Sequence, residues 1–393
     1  MTITKKSSKV TPMEVKPAKQ NNIFTETKDI TSKIKFIVIC QMIFGVNRSY
    51  LIKCGRFVIW ATNAHSFVLM ALTAVFIINY RNDSASFLVI YDTSCVEFIL
   101  LVFNSIVFQK KTFEYFIANL NTFDDILNIK KDLNITSPRI RSMLWMITSL
   151  TYSLIEYSLF YFYRCTDHIL IISYITMIAH DGEQVLFCSL LRMILIRVRV
   201  MKAHVTKKFG GKEITESNQV DALANNTQLD TISLHRTYEL LHKCAEQLNS
   251  IMSFPMVISL FCSGLSTTML LKSLFKALQT DNSDPALKQL IIIYTSLRCF
   301  KYTLLVVVPC CYSSVTTTQV SHIRTMLHDA ANSGQLDKIE KRRVKAFFQL
   351  TRENEFAYAL WGVIRLNMSL PLSYSSLCTT YLVIIIQFSK FID

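Results

Sequence analysis

Apolar residues gather into seven blocks, each close to the roughly 20 residues that cross a hydrocarbon core as a helix. They run Phe57–Tyr80, Phe87–Phe108, Met143–Phe162, Ile169 towards Val200, Phe254 to about Leu278, about Leu287 to Cys311, and about Leu370 to Phe388. The second block contains Asp92 and Glu97. Strand-type alternation and internal repeats are absent, which argues against a barrel or a solenoid. The pattern predicts an all-α polytopic membrane protein with seven transmembrane helices.

The polar intervals alternate in length. Segments 81–86 and 163–168 are short; 109–142, 200–253 and 312–369 are long. Helical periodicity continues into the long ones. Leu234, Leu241, Leu248 and Ile251 fall near one face, and Ile339, Val344, Phe347 and Phe348 are the apolar members of a second stretch. These segments are expected to be helices that extend beyond the membrane and pack there. Residues 1–33 are polar and lack the apolar core of a signal peptide, so a disordered tail is expected. The run IKFIVICQMIFGV, from Ile34, is too short to span and is expected to lie at the interface or re-enter the membrane.

Charge decides the orientation. Lys and Arg number 10 in 1–55, 1 in 81–86, 5 in 109–139, 1 in 163–168, 9 in 192–255, 3 in 271–288, 7 in 313–356 and 1 after Phe388. The rich intervals hold 31 and the poor ones 6, in strict alternation. The positive-inside rule places the N-terminus in the cytosol and, after seven crossings, the C-terminus outside. That is the inverse of a G-protein-coupled receptor. A DRY-type triplet after the third block and an NPxxY-type stretch in the seventh are also missing.

Composition agrees. Of 393 residues 51% are hydrophobic and 18% charged, against about 25% charged in soluble domains. The net charge of +14 would suggest nucleic acid in a soluble protein, but the loop distribution accounts for it, so no nucleic-acid partner is read. The 11 cysteines lack metal spacing and lie mostly in apolar runs. No P-loop, GxSxG or HExxH motif occurs, so neither an enzyme nor a cofactor or metal site is expected.

The last block reads Thr380-Tyr381, five apolar residues, then Gln387-Phe388. This ending resembles the signature of insect gustatory receptors, seven-helix proteins with the N-terminus inside. Gly362, in an apolar stretch ahead of the last block, and Pro371 fit as well. The resemblance covers the architecture of the whole chain, with sequence detail in about 30 C-terminal residues. It implies a tastant-gated cation channel of the plasma membrane. The partners it implies are a small-molecule tastant, the lipid bilayer, and either identical subunits in a tetramer or related receptors in a heteromer. Many sugar-sensing members carry Glu directly after the TY pair; here that position is Leu382. A bitter-type or other small polar organic compound is therefore expected, with a fructose-type sugar receptor and a non-conducting receptor or transporter as alternatives. On this reading 1–33 is the cytosolic tail, 34–55 the interfacial helix and 56–311 the ligand-binding bundle. Segment 312–369 is a cytosolic anchor and 370–393 the pore helix.

Candidate site residues follow from depth and chemistry. Ionisable side chains inside a span are costly and face a bundle interior or a wet cavity. His180-Asp181-Gly182-Glu183 lies in the fourth block, and Arg298 and Lys301 in the sixth. At 1.5 Å per residue, Asp181 lies roughly 20 Å from the outer end and Arg298 and Lys301 roughly 16–21 Å. Asp181 and Arg298 are expected to form an intramembrane pair, with His180 among the pocket candidates. The other candidates, chosen as aromatic walls with polar tips, are Tyr91, Tyr157, Tyr161, Tyr174, Tyr294, Ser266 and Thr267. On the last helix Thr380, Ile384, Gln387 and Phe391 share a stripe, with Phe388 beside it. Ile384, Gln387, Phe388 and Phe391 are the expected pore residues. Of five sequons (Asn47, Asn82, Asn134, Asn225 and Asn367), Asn82 alone falls in an outside loop.

Overall fold

The computed structural model describes residues 28–52, 54–80, 86–127, 136–164, 171–210, 229–279, 285–334 and 336–392. The helices are α1 (Lys28–Ile43), α2 (Arg56–Tyr80), α3 (Ser86–Val107), α4 (Gln109–Ile126), α5 (Thr136–Arg164), α6 (Ile171–Phe209), α7 (Thr231–Gln279), α8 (Pro285–Asn332), α9 (Lys338–Glu353) and α10 (Ser369–Ile392). The seven apolar blocks fall on α2, α3, α5, α6, α7, α8 and α10. Judged by length and hydropathy alone, α2, α7, α8 and α10 each contain a stretch able to cross a membrane, and α3 with α4 forms a fifth candidate bent by 64°. Helices α5 and α6 are not among them. They carry Glu156 and His180, Asp181 and Glu183, groups that are buried, and a hydropathy sum does not register their pairing.

Helices α6, α7 and α8 are 39, 49 and 48 residues long. At 1.5 Å per residue α7 reaches about 73 Å, well over twice a hydrocarbon core of about 30 Å. The surplus lies at one end of the bundle, called here the extension end; the opposite end carries the short connections α2–α3 and α5–α6. The largest core cluster sits at the extension end. Leu234, Leu241, Leu248 and Ile251 of α7 are all buried there, with Phe113, Phe116 and Leu120 of α4 and Val344 and Phe347 of α9. Ile339, in contrast, faces outward. Arg197 of α6 clasps Asp124 of α4 with two hydrogen bonds of 2.8 and 2.5 Å. Thr231 donates to Glu340, and Lys208 lies 3.2 Å from the same carboxyl. Together they hold the Glu340 carboxyl below its usual range, the Thr231 hydroxyl contributing most.

One N-terminal expectation is corrected: helix α1 begins at Lys28, inside the expected tail. It packs against α5 and α6, burying Ile30, Ile34, Ile37 and Val38. These residues recur every three or four positions, and four buried β-branched side chains outweigh the polar flank. Residues 1–27 lie outside the described residues. After α1 the chain turns at Gly45, whose φ is +89° and where a Cβ would meet Leu69 and Phe98 at 2.8 and 2.9 Å. Arg48 follows, fully buried. It donates to Glu183 at 2.7 Å, Gln41 at 2.8 Å and Gln109 at 2.9 Å. Asn47 is buried too, so that sequon is closed; Asn82 lies outside the described residues.

A short antiparallel pair, β1 (Ala359–Leu360) and β2 (Ile364–Arg365), joins α9 to α10. No strand was expected from this apolar stretch. Its turn takes positive φ at Trp361 (51°) and Gly362 (70°), the geometry of a tight hairpin turn. Asn249 and Ser253 of α7 bind the hairpin backbone, at Ala359 O (2.7 Å) and Trp361 N (3.2 Å).

His204 lies on α6, 33 residues beyond Ile171 and so about 50 Å along the helix, outside a hydrocarbon core. It is buried, and burial together with Lys207 pushes its pKa down to about 4. Folded His204 is therefore neutral while an unfolded histidine titrates near 6.5. The unfolded chain takes up a proton that the folded one refuses. Stability contributed here is present above about pH 6.5 and is lost as pH falls towards about 4. At pH 5 the loss is about 2 kcal/mol relative to neutral pH. His204→Leu is expected to flatten this limb in thermal melts between pH 5 and 7.5; an unchanged limb would refute the assignment.

Candidate functional site

The middle of the bundle is a cluster of ionised and polar groups from five helices. Lys301 of α8 sits between two carboxylates, 2.8 Å from Asp181 Oδ2 on α6 and 3.0 Å from Glu156 Oε2 on α5. Ser153, one turn from Glu156, donates to the same Asp181 oxygen at 2.8 Å. One ammonium thus joins three helices. On the far side of α6, His180 Nδ1 meets Glu97 Oε1 of α3 at 2.6 Å and Ser259 Oγ of α7 at 3.2 Å. Ser259 also accepts from Gln184 at 2.5 Å. With Glu97 accepting from Nδ1–H, Nε2 is turned towards the interior.

The expected pair of Asp181 with Arg298 is corrected: Lys301 is the ion-pair partner. Residues three apart on a helix point about 60° apart, so equal depth does not mean equal direction. Lys301 points into the gap between α5 and α6. Arg298 turns onto its own helix, donating to the hydroxyls of Tyr294 and Tyr302 and to Met177 Sδ at 3.1 Å. Its guanidinium lies over both rings, 5.7 Å from each centroid.

Between these groups lies a cavity of about 260 Å³, counting the space open at its mouth, lined by Ser94, Glu97, His180, Asp181, Ser266 and Lys301 among others. Of the expected pocket residues His180 and Ser266 face it. His180 Nε2 and Asp181 Oδ1 are buried there without a hydrogen-bond partner. Tyr174 and Tyr294 lie beside the cavity in an apolar cluster that shares Met177 and Tyr302 with its wall, and Tyr157 packs edge-on to Tyr174 at 4.5 Å. Thr267 instead donates to Ser263 O of its own helix at 2.7 Å. The side chains of Tyr91 and Tyr161 lie outside the described residues. Glu97, Lys301 and Tyr302 were not among the expected pocket residues. Two of these carry formal charge inside apolar blocks, which is the signal that marks them.

Helix α10 sits at the edge of the bundle. Cys378 and Leu382 turn inward, whereas Thr380, Tyr381, Ile384 and Gln387 are exposed. The side chains of Phe388 and Phe391 lie outside the described residues. The exposed stripe is the one that carries the amide.

A buried ion loses about 3–5 kcal/mol of stabilisation when its partner is removed. Lys301→Met strands two carboxylates, whereas Asp181→Asn leaves Lys301 paired with Glu156. Lys301→Met is therefore expected to lower thermal stability and surface expression more than Asp181→Asn. The triple change with Glu156→Gln and Asp181→Asn should recover most of the loss. Rescue of Arg298→Met by Asp181→Asn, with none for Lys301→Met, would restore the Arg298 pairing instead.

The chain is similar in fold to the insect olfactory receptor OR5 from Machilis hrabei. The match has a TM-score of 0.61 at 13% identity and covers 92% of this chain and all of OR5. The structure of OR5 in complex with eugenol matches with the same TM-score at 11% identity, covering 90% of this chain and 97% of that one. No curated protein matches by sequence. A family model described as 7tm chemosensory receptor matches residues 41–392. With buried charges inside a helical bundle, a peripheral last helix and a family match over nearly its whole length, the chain belongs to the 7tm chemosensory receptor family.

Proposed function

We propose that the protein is a gustatory-type receptor of the plasma membrane: a cation channel opened by a small polar organic compound, bitter-type by expectation. Four subunits surround a pore lined by α10. The N-terminus and the extension end face the cytosol, the side on which 31 Lys and Arg residues collect. The TY-x5-QF ending favours the gustatory over the olfactory branch.

The observation that carries the reading is the outer stripe of α10. An amide exposed to lipid lacks partners, and α10 nonetheless turns Gln387 away from its own bundle. Around a fourfold axis four such amides hydrate a passing cation, and Ile384 beside them supplies an apolar constriction that closes by dewetting. The unpartnered Asp181 oxygen and His180 nitrogen at the cavity offer hydrogen bonds to a polar ligand, and the similar receptor that holds eugenol is in keeping with a small organic one.

Cysteine substitution tests this. A charged thiol reagent applied from outside should change ligand-evoked current at Gln387→Cys and at Ile384→Cys, and leave Leu382→Cys, which faces inward, unchanged. An epitope tag at the N-terminus should stain only permeabilised cells. A Gln387→Cys receptor that opens normally and ignores the reagent would remove Gln387 from the conduction path. Surface staining of the N-terminal tag would reverse the orientation.

A further inference from the structure

Helix α9 carries a face that the fold does not use. With 3.6 residues per turn, Lys338, Lys341, Arg342, Lys345 and Arg352 share an arc about 100° wide, opposite the buried Val344, Phe347 and Thr351. Lys341 is half-buried and the other four are exposed. None of these five side chains has an ion-pair partner among the described residues; Arg343, off the arc, is the cation of α9 that meets Asp230 and Glu340. Glu353, beside the end of the row, accepts from Gln349 at 2.7 Å.

The row works against its own helix. Lys338 and Lys341 are three apart, as are Arg342 and Lys345; Lys338 and Arg342 are four apart, as are Lys341 and Lys345. Like charges at these spacings are neighbours on a helix and repel. The start of a helix also favours acids over cations, and the row begins at the first residue of α9. A local conflict of this kind marks a face kept for another purpose. Lipid headgroups do not relieve it. Lys208, 3.2 Å from Glu340 near the start of α9, lies 37 residues from Ile171, about 56 Å along α6. Arg324, which donates to Thr351 O at 2.7 Å near the other end, lies 39 residues from Pro285, about 58 Å along α8. A bilayer with its headgroups is about 40–45 Å thick. Helix α9 therefore stands about 10 Å or more beyond them, past a Debye length of about 8 Å.

We propose that this face binds a soluble polyphosphate, a small molecule bearing several phosphates such as a nucleoside triphosphate or an inositol polyphosphate. Arg342 and Arg352 present planar forks to phosphate oxygens, and the lysines add point charges about one helical turn apart. Helix α9 exposes no aromatic ring on which a nucleic-acid base could stack, and Ile339 and Ala346 are its exposed apolar residues, too few for the apolar centre of a protein interface. Helices α9 and α10 both pack on α7 and α8, so the row of cations lies on the side of the bundle that carries the Gln387 stripe. On the fourfold reading proposed above, on which this last step rests, four rows gather around the axis below the pore, where a compact polyanion bridges them. Binding itself rests on the charge and depth of one subunit.

The full-length receptor in phosphatidylcholine nanodiscs should be titrated at physiological salt with inositol hexakisphosphate and, separately, with ATP, following its melting temperature. At least one should raise it, and the one that does identifies the source of the phosphates. Sodium sulfate at equal ionic strength should not. Lys338→Gln, Arg342→Gln and Lys345→Gln together lie opposite the buried stripe and should weaken the apparent affinity about tenfold or more. Lys338→Arg with Lys345→Arg should retain it. On the unaltered receptor the ligand should slow amide exchange over 338–352, a readout that does not depend on any variant folding. No shift with either polyphosphate would overturn the proposal. So would a shift matched by sulfate, undiminished affinity in the Gln variant, or stabilisation obtained only from phosphoinositide in the bilayer. Removal of Gln387 from the conduction path leaves these melts unchanged, so the site and the pore fail separately.

Discussion

The fold depends on neutralising carboxylates in the middle of an apolar bundle. Glu97, Glu156, Asp181 and Glu183 are all nearly inaccessible. A charge at such depth persists only when another group on a neighbouring helix meets it. Each solution here is also a cross-link. Lys301 ties α8 to α5 and α6, and His180 ties α6 to α3 and α7. Arg48 ties the segment after α1 to α6 and α4. Helix association in lipid gains little from hydrophobic burial, so polar contacts of this kind and close packing set which helices are neighbours.

The same cross-links explain what is left outside. Among its described residues, helix α10 contributes no charged group to them. It meets the bundle through Cys378, Leu382 and the ring of Tyr374, which lies 3.6 Å from the place a Cβ would take on Gly264. Among its described residues, the rest of its surface mixes apolar side chains with the hydroxyls of Ser373, Ser375, Ser376, Thr379 and Thr380 and the Gln387 amide, and is largely exposed. Buried charge thus separates the chain into a cross-linked bundle and a peripheral helix. The hairpin at Trp361–Gly362, bound to α7 through Asn249 and Ser253, joins α10 to the extension end.

The extension end is built differently. Its core is a continuous apolar cluster at helical spacing, with Arg197–Asp124 as a buried clasp. Outside the membrane hydrophobic burial operates at full strength, so this end can hold α6, α7, α8 and α9 together without a network of charges. Its other ionic contacts, such as Lys208 with Glu340, lie at the periphery.

The sequence by itself determined the seven apolar blocks, the helical continuation of the long polar segments and the unequal charge of the two sides. These are one-dimensional quantities: block length against bilayer thickness, a period of 3.6, and a count of Lys and Arg. It also marked His180, Asp181, Arg298 and Lys301 as unusual, because charge within an apolar run needs no structure to be noticed. Only the tertiary structure decided who pairs with whom. Asp181 chose Lys301 over Arg298 because depth along a helix can be counted while direction around it depends on how each neighbour is rotated and tilted. Arg48 looked like one more cation of a basic segment until the turn at Gly45 carried it inside to Glu183. Which neighbours cover the apolar face of helix α1 was likewise decided only in three dimensions, where it packs against α5 and α6. The hairpin at Trp361–Gly362 rests on two positive φ angles and two side chains of α7, contacts more than 100 residues apart that no local pattern encodes.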